Sequence, residues 1–312
     1  MTGGTGFIGW RVVRNLLGRG IPVVAADKNI DHDVLGLLQG AEVQELDVAD
    51  DRAVRQVFGM HPGITHCIHL AYLMSAEVEA NPRLGVEVNQ LGMVNVFEAA
   101  VREKLARLVI TSSETYYGAS QAPYGDRPVT EDDYCGPRDH FFTYGVMKIL
   151  NEFMAQKYVH KHGVSIASAR PPVVFGHGRK RGSVLWAEDF ASAPALGNPV
   201  TLPFPASTRD TWIYVDDCAE QLVLLALRPQ LGHFAYNNGG ACVTAGELAD
   251  LVCRWIPEAR IDFDESQPPT PLIDWQDGTR LIDEIGFTPR PLEQGIRAHI
   301  NEARAAAGLD PV

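Results

Sequence analysis

The stretch that decides the fold is MTGGTGFIG, residues 1–9. It holds two overlapping glycine spacings, Gly4-x-Gly6-x-x-Gly9 and Gly3-x-x-Gly6-x-x-Gly9, and an apolar helical pattern follows it. Side chains at these glycines would block a tight strand-to-helix turn, the approach of a pyrophosphate, or close packing of helix on strand. The helix that follows would present its free N–H groups and positive dipole end to phosphates. The stretch therefore predicts a dinucleotide-binding loop.

A second signal lies about 20 residues further on, where dinucleotide-binding folds carry an acid. The apolar run of residues 21–26 ends at Asp27. Its carboxylate would accept a hydrogen bond from a ribose 2′-hydroxyl, whereas NADP carries a phosphate there. We therefore expect NAD as the cofactor.

The strand before the glycines is unusually short, because only Met1 and Thr2 precede them. A dinucleotide-binding unit begins with a strand of roughly 5–6 residues. That strand is central in such sheets, so its loss would leave unpaired backbone and an uncovered core. We therefore expect that the chain as given starts inside, or at the end of, a truncated first strand.

The composition excludes several classes of partner. The 312 residues suffice for a large core, and the formal net charge of −12 argues against nucleic acid. That charge is compatible with an anionic small molecule held by a few local cations. No apolar run reaches the roughly 18 residues of a membrane span. The five cysteines are scattered and lack any CxxC spacing, which indicates reduced thiols in a cytoplasm.

Apolar runs and helical patterns alternate regularly as far as Arg170. This alternation predicts an α/β fold, a doubly wound parallel sheet of the Rossmann type, with long helices over residues 82–104 and 142–160. Beyond Arg170 prolines become frequent and the pattern loosens, although Thr244-x-x-Glu247 fits a capping box. We expect an NAD-binding domain over residues 1–170. Residues 171–312 would mostly form a small substrate-binding lobe, with some segments returning to the first domain.

The segment Tyr144-Gly145-Val146-Met147-Lys148 places a phenol and an ammonium one turn apart on one helix face. Free tyrosine has a pKa of about 10, too high for a base at neutral pH. A nearby cation favours the phenolate, so the pair could exchange protons with a substrate hydroxyl. The alternative is an aromatic core residue followed by a solvated lysine, but the dinucleotide loop upstream favours the catalytic interpretation.

Hydroxyl groups end the predicted strand that reads LVITSSETYYG, residues 108–118. The strand would deliver them to the carboxyl edge of the sheet, beside the expected nicotinamide site. A serine there can orient the reacting oxygen and support its charge. The alternative is that these residues only cap a strand and begin a loop.

Together these motifs resemble the extended short-chain dehydrogenases/reductases, also called the NAD-dependent epimerase/dehydratase family. The resemblance runs nearly end to end and implies that Tyr144 is the acid/base and Ser113 the catalytic serine. It also implies that Lys148 lowers the pKa of Tyr144 and holds the nicotinamide ribose. The cofactor contacts that it implies are Gly3, Gly6, Phe7, Ile8, Gly9, Asp27, Asp47, Val48, Leu70, Ala71, Tyr144 and Lys148.

Two departures from the family bear on the reaction. Sugar-nucleotide epimerases have an asparagine that contacts the nucleotide diphosphate where this chain has Pro172, which cannot replace those hydrogen bonds. The 4,6-dehydratases carry Asp-Glu after their catalytic threonine, whereas Glu114-Thr115 follows Ser113 here. We therefore expect an NAD-dependent oxidoreductase acting at a hydroxyl or keto carbon of a sugar, sugar acid or sugar nucleotide. An NAD-retaining UDP-sugar 4-epimerase and a non-catalytic dinucleotide-binding regulator are the alternatives.

The substrate contacts expected are Ser113, Glu114 and Arg209. Arg209 would hold an acidic group, since arginine suits bidentate capture of carboxylate or phosphate. The run at residues 179–181 is a second cationic candidate, with a solvated basic loop as the alternative. We expect no metal site, and a homodimer through the helices of residues 82–104 and 142–160, with their burial inside one monomer as the alternative.

Overall fold

The computed structural model describes residues 1–182 and 184–312. Its α-helices are α1 Gly9–Gly18, α2 Asp51–Met60, α3 Ser75–Ala80, α4 Pro82–Gly85, α5 Gly92–Arg102, α6 Thr143–His162, α7 Trp186–Ala195, α8 Val215–Leu227, α9 Ala245–Trp255, α10 Thr279–Ile285 and α11 Leu292–Ala306. Its strands are β1 Val24–Asp27, β2 Glu42–Glu45, β3 His66–His69, β4 Arg107–Thr111, β5 Ile166–Arg170, β6 Val173–Phe175, β7 Val200–Leu202, β8 Arg209–Tyr214, β9 Ala235–Asn237, β10 Ala241–Thr244 and β11 Ile261–Phe263.

Thr2 joins two groups of parallel strands into one sheet. β1 pairs with β2, while β3, β4, β5 and β9 follow one another in the second group. Thr2 makes single parallel bridges to Ala26 of β1 and His69 of β3. Its N–H donates to the Ile68 carbonyl (3.1 Å), and its carbonyl accepts from the Leu70 N–H (3.0 Å). The order β2-β1-Thr2-β3-β4-β5-β9 confirms the doubly wound Rossmann-type sheet.

Both faces of this sheet are covered by helices, as a parallel sheet requires. Because successive side chains point to opposite faces, Ile68 and Val109 pack with α1 and α8, and Cys67 and Leu108 pack with α2 and α5. The two cores therefore lie on opposite sides of the same strands. No helix among the described residues is long and apolar enough to cross a membrane.

The chain beyond Arg170 builds two further small sheets and also returns to the main one. β8 lies between β6 and β10, and β7 pairs with β11. β9 instead pairs in parallel with β5 in the main sheet. The capping box at Thr244 and Glu247 is confirmed: Thr244 accepts from the Glu247 N–H at 3.1 Å. The division at residue 170 into two domains remains a prediction.

The helix predicted over residues 82–104 is continuous as far as Arg102, but its middle is not α-helical. α4 passes into a π-helical turn at Val86–Leu91 before α5 begins. A π turn takes carbonyls out of the regular helical ladder and frees them for other donors. Here the fully buried Asn89 gives its main-chain carbonyl to the Asn151 side chain of α6 (3.1 Å). Its own side chain is bonded twice to the Leu73 backbone (2.7 and 2.9 Å), so the π turn anchors the loop after β3 to the helix that carries Tyr144.

Candidate active site

The glycine-rich loop forms a close-packed cradle between Thr2 and α1. A Cβ atom on Gly9 would overlap the Gly3 carbonyl oxygen. Gly3 has a φ of +67°, and a Cβ there would lie 2.8 Å from the backbone that links Leu70 to Ala71. α1 begins without a side-chain cap, and Gly6 is exposed at its start. Bare backbone at an uncapped helix N-terminus fits the pyrophosphate of a dinucleotide.

Asp27 ends β1 beside this loop. One carboxylate oxygen accepts from the N–H (3.2 Å) and the hydroxyl (3.0 Å) of Thr5, and the other accepts from the Asn29 N–H (3.3 Å). The half-buried carboxylate is therefore held in place by the loop and keeps acceptor capacity for ribose hydroxyls. Its position fits the recognition of NAD.

The segment after β2 is fixed by hydrogen bonds to α5. Asn95 donates to the carbonyls of Val48 (2.9 Å) and Ala49 (3.2 Å). Asp47 accepts from the Ala49 N–H (3.0 Å) and pairs with Lys28 (2.6 Å). β1 and β2 end at the same edge of the sheet, so Asp47 and Val48 lie along the same groove edge as Asp27, where the adenine end of NAD is expected.

The two histidines of β3, His66 and His69, are three residues apart on a strand and therefore lie on opposite faces of the sheet. His66 is exposed, whereas His69 is 1% exposed and its Nδ1 lies 2.7 Å from the Thr2 hydroxyl. Burial, aided by the charge of Lys148, lowers the pKa of His69 to about 3. His69 is therefore a neutral residue that supports Leu70 and Ala71, whose backbone contacts the glycine loop.

Ser113, Tyr144 and Lys148 come together where β4 ends against α6. Ser113 caps a short 3₁₀ turn, accepting from the Thr115 N–H (3.2 Å), and its hydroxyl lies near enough to the Tyr144 phenol to act on the pKa of that phenol. Lys148 Nζ donates to the Thr111 carbonyl (2.7 Å) and lies 5.1 Å from the Tyr144 ring centroid. The structure thus places the three predicted catalytic residues in one buried cluster, and their roles remain predictions.

The pKa values in this cluster differ from the expectation. Burial raises the pKa of Tyr144, while the Arg179 cation and the Ser113 hydroxyl act in the opposite direction. Burial also lowers the pKa of Lys148 well below its usual value, partly offset by Glu152. The expected lowering of the Tyr144 pKa by Lys148 is therefore not found, because desolvation outweighs every cation near the phenol and Lys148 points toward Thr111.

Tyr72 is a neighbour of the cluster that the sequence analysis missed. Lys148 Nζ lies 3.3 Å from its ring centroid, and its ring meets that of Tyr144 edge-on at 5.4 Å. Its hydroxyl accepts from Asn151 (2.9 Å). The sequence feature that could have identified Tyr72 is its position directly after Leu70-Ala71 at the end of β3. The carboxyl ends of β3 and β4 lie at the same edge of the sheet, so Tyr72 lies at the same edge as Ser113.

The predicted substrate contacts occupy different surroundings. Glu114 is 4% exposed, and its Oε2 has no hydrogen-bond partner among the described residues. Arg209 lies on the surface, with Nη1 3.8 Å from Asp126 and Nη2 3.4 Å from Cys242 Sγ. Arg179 is instead half-buried, its Nε is shielded from solvent, and its charge acts on Tyr144 and Glu114. The role of Arg209 in substrate binding stays a prediction. Arg179, which the sequence analysis ranked below Arg209, is the cation whose charge acts on Tyr144.

His177, Glu188 and His299 form a group whose ligating atoms lie within 4.8 Å of one another. His177 Nδ1 lies 2.9 Å from Glu188, and Ser192 Oγ lies 2.9 Å from His299 Nε2 and donates to Glu188 (2.7 Å). These atoms are engaged with each other, and they tie the loop after β6 to α7 and α11. The expectation of no metal site remains a prediction.

A dinucleotide cradle and a Ser-Tyr-Lys cluster at one edge of a Rossmann-type sheet define an NAD-dependent oxidoreductase of the short-chain type. A family model described as NAD dependent epimerase/dehydratase family matches residues 1–239. The chain belongs to this family, and NAD is its cofactor.

Several known proteins are similar over most of the chain. The dTDP-glucose 4,6-dehydratase of Streptomyces niveus is 26% identical over 93% of this chain and 87% of its own length. The mitochondrial L-threonine 3-dehydrogenase of Bos taurus is 27% identical over 70% of this chain and 57% of its own length. The structure of UDP-glucose 4-epimerase from Thermus thermophilus in complex with NAD has a TM-score of 0.81 and 26% identity, covering 98% of each chain.

Proposed function

We propose that the protein is an NAD-dependent dehydrogenase that oxidises a hydroxyl group of a sugar or sugar acid and releases NADH. The observation that carries this proposal is the cluster of Ser113, Tyr144 and Lys148 beside the dinucleotide cradle. A phenol and a hydroxyl close to each other can together bind one substrate oxygen, as acid/base chemistry at a carbinol requires.

In the proposed reaction, Ser113 donates a hydrogen bond that orients the substrate oxygen. Tyr144, in its phenolate form, accepts the hydroxyl proton while the carbon–hydrogen bond of the carbinol breaks, which leaves a ketone or a lactone. Bound NAD supplies the nicotinamide carbon that accepts the hydride. Lys148 is held by the Thr111 carbonyl beside Tyr72 and would bind the cofactor ribose, and the glycine loop and Asp27 would hold the rest of the dinucleotide.

Pro172 favours a dehydrogenase that releases NADH over an epimerase that retains it. This residue is buried between β5 and β6. Proline has no N–H and no polar side chain, so it offers nothing to the nucleotide diphosphate that an asparagine binds at this place in sugar-nucleotide epimerases. The relatives include both dehydrogenases and epimerases, so an assay of the reaction is needed to distinguish the two activities.

Arg209 is retained as a proposed substrate contact at the outer part of the lobe. We expect Arg209→Ala to raise the KM of the substrate far more than it changes the affinity for NAD. Initial rates and an NAD titration of the same variant measure the two effects. An unchanged KM would remove Arg209 from the site.

The test of the proposed function is net NADH formation from NAD with uronic acids, aldonic acids, neutral sugars, UDP-sugars and L-threonine. Stoichiometric NADH with one class of substrate supports a dehydrogenase. An interconverted UDP-sugar without NADH establishes the epimerase instead. A Tyr144→Phe variant that binds NAD and keeps full cellular function would leave the non-catalytic regulator as the better account.

We further propose a homodimer in the cytoplasm, with residues 1–170 as the NAD-binding part and residues 171–312 mostly as the substrate-binding lobe. All five cysteines are free thiols, which suits a reducing compartment. Apolar side chains on the π turn and on α6 are exposed, which leaves a face for a second copy. These three proposals are independent of the reaction, and the homodimer is tested separately.

A further inference from the structure

Two histidines and one glutamate from three separate segments of the chain meet beside the loop that follows β6. His177 lies in that loop, Glu188 in α7 and His299 in α11. One atom from each, an imidazole nitrogen or a carboxylate oxygen, lies within 4.8 Å of the other two. Two imidazoles and a carboxylate are a donor set that holds Zn²⁺ in proteins. None of the three residues is among the expected cofactor, substrate or catalytic residues.

The distances between these atoms suit one small metal ion. His177 Nδ1 lies 2.9 Å from Glu188 Oε1, and His299 Nε2 lies 3.9 Å from Glu188 Oε2. Donors bound to Zn²⁺ at about 2.0–2.1 Å in tetrahedral geometry are about 3.4 Å from one another. One observed separation is shorter than this value and the other is longer. Small shifts of the side chains would therefore bring the three atoms onto a single ion.

Ser192 of α7 adds an oxygen to the same group. Its Oγ lies 2.9 Å from His299 Nε2 and 3.3 Å from His177 Nδ1, and it donates to Glu188 (2.7 Å). Ser192 and Glu188 are one helical turn apart on α7, which fixes their mutual position. Two nitrogens and two oxygens therefore converge on one small volume, as a four-coordinate site requires.

The group is buried on one side and open to solvent on the other. The side chain of His299 is fully buried, while those of Glu188 and His177 are 15% and 32% exposed. The rings of Phe175 and Phe190 lie 6.2 and 5.6 Å from the His299 ring, which fixes that imidazole in place. A metal ion could therefore reach a rigid buried ligand by passing the partly exposed His177.

The protonation states of the buried members suit a cation. Burial lowers the pKa of His299 to about 3, so its imidazole is neutral at neutral pH and keeps a lone pair for a metal. Burial alone would raise the pKa of Glu188, but hydrogen bonds from His177 and Ser192 bring it down to about 2. Glu188 is therefore ionised, and it gives the group the negative charge that a dication needs.

Arg11 lies beside this group, but its charge is paired. Its Nη2 donates to the His177 carbonyl (2.9 Å). The same guanidinium pairs with Asp216 (2.9 Å) and with Glu302 (2.8 Å). Two carboxylates around one guanidinium leave no excess of positive charge there. Arg11 therefore does not exclude a dication from His177.

We propose that His177, Glu188 and His299 bind one divalent transition-metal ion of the zinc type, with Ser192 or a water molecule as the fourth ligand. The ion would join the loop after β6 to α7 and α11, so its role is to stabilise the fold. The proposal is independent of the dehydrogenase function, because no step of that reaction uses these residues. The sequence analysis expected no metal site, since the ligands are spread over residues 177–299 without a local spacing. The alternative is a hydrogen-bond network that holds no metal.

The experiment is calorimetric titration of Zn²⁺ into the full-length protein after treatment with a chelator. We expect one Zn²⁺ per chain and no heat with Mg²⁺, whose preferred ligands are oxygens. His177→Gln removes the partly exposed ligand and should raise the Kd of Zn²⁺ at least about tenfold, since even a hydrogen-bond partner of a ligand is worth about 10–100-fold in metal affinity. His61→Gln is the matched control, because His61 also pairs with a glutamate (3.5 Å to Glu42). Its Kd should stay within about twofold of wild type.

Two further measurements use the same proteins. Zn²⁺ should raise the melting temperature of the wild type and of His61→Gln, because a ligand that binds only the folded state stabilises it, and should leave that of His177→Gln unchanged. Co²⁺ bound to imidazoles and a carboxylate should give visible ligand-field bands without the near-ultraviolet thiolate band that a cysteine ligand adds. The spectrum of the wild type tests the ligand set even if His177→Gln fails to fold.

The contrary outcomes are equally distinct. No binding of Zn²⁺ or Co²⁺ to the wild type would overturn the proposal and leave the three side chains as a hydrogen-bond network. An unchanged Kd in His177→Gln, or a thiolate band with Co²⁺, would assign the ion to other residues and overturn it as well. None of these measurements uses NAD or a substrate, so failure of the proposed dehydrogenase function would not alter their outcome.

Discussion

Tyr144 lies between two opposing influences on its acidity. Burial favours the neutral phenol, and the Arg179 cation and the Ser113 hydroxyl favour the phenolate. The sequence could identify Tyr144 from its spacing to Lys148, but it could not show which cation acts on the phenol. Arg179 is 35 residues away in the chain, and the fold brings its charge close enough to act on the pKa of Tyr144.

Removing the Arg179 charge should make Tyr144 a weaker acid. A cation favours the phenolate, so its loss raises the pKa of Tyr144, and the base form needed for alcohol oxidation is reached only at higher pH. We expect the acid limb of the kcat/KM profile for NADH formation to move up by about 1 pH unit in Arg179→Gln. The profile of Arg181→Gln should match wild type. A shift of the Arg179→Gln profile to lower pH would contradict this electrostatic account.

At the scale of elements, α1 depends on the absence of a side chain at its first residue. A Cβ on Gly9 would overlap the Gly3 carbonyl, whereas a Cβ on Gly18, at the other end of the same helix, would meet nothing within 4 Å. Gly9→Ala should therefore displace the loop and weaken NAD binding at least about tenfold, as when well-made charged hydrogen bonds are lost. Fluorescence titration with NADH measures this affinity.

Gly18→Ala is the matched control. It should leave NADH affinity unchanged and keep or slightly raise the melting temperature, because alanine is favoured in helices by up to about 1 kcal/mol. Equal NADH affinities in the two variants would show that the loop does not approach the pyrophosphate as closely as the glycines indicate.

The catalytic helix α6 is fastened to the sheet by a buried ion pair. Glu152 lies two turns after Tyr144 and takes two hydrogen bonds from the Arg170 side chain of β5 (2.8 and 2.6 Å). Arg170 also donates to the Tyr117 hydroxyl (2.6 Å). Both charged side chains are at most 3% exposed. The pair therefore fixes the height of Tyr144 above the carboxyl edge of the sheet.

Arg170→Met should leave Glu152 buried without its partner and lower the free energy of unfolding by about 3–5 kcal/mol. Urea denaturation measures the change. Arg127→Met breaks the more exposed pair with Asp133 and should cost at most about 1 kcal/mol. Similar decreases in the free energy of unfolding of the two variants would mean that the buried pair does not stabilise the attachment of α6 to the sheet more than a surface pair would.

The elements that sequence patterns could predict are those whose signals are local. The capping box at Thr244 and the glycine loop were both identified because capping and tight turns are set by a few adjacent residues. The π turn at Val86–Leu91 was missed because it depends on Asn89 and Asn151 meeting across two helices. The ion pair of Glu152 and Arg170 was missed for the same reason.

At the scale of the whole molecule, alternation of strands and helices was enough to predict the sheet, since each parallel strand needs a crossover. The place of β9 in that sheet could not be predicted, because its three residues carry no periodic signal. The inward turn of Arg179 was equally hidden. The sequence alone does not distinguish the three cations at residues 179–181. In the structure Lys180 pairs with Asp31 and Asp33, whereas the charge of Arg179 acts on Tyr144.

The proposed homodimer is a prediction at this scale. Exposed apolar side chains remain on the π turn and on α6: Val86, Leu91, Leu150 and Phe153 are 51, 49, 46 and 55% exposed. We expect light scattering of the wild type to give twice the mass of one chain. The double variant Leu150→Glu/Phe153→Glu should be a monomer, because charges at a buried contact oppose association.

Leu196→Glu, at an exposed leucine just after α7, serves as the control and should remain a dimer. A monomeric wild type, or a double variant that keeps the dimer mass, would remove α6 from any interface between copies.

We propose above all that Tyr144 drives net oxidation of a sugar or sugar acid by NAD. Following the absorbance of NADH with the wild type and Tyr144→Phe, over the panel of acids, neutral sugars and UDP-sugars, tests this reaction. We expect stoichiometric NADH from one class of substrate with the wild type and none with Tyr144→Phe, although both bind NAD. No NADH from any substrate, with a UDP-sugar interconverted in the same tubes, would show that the protein is an epimerase instead.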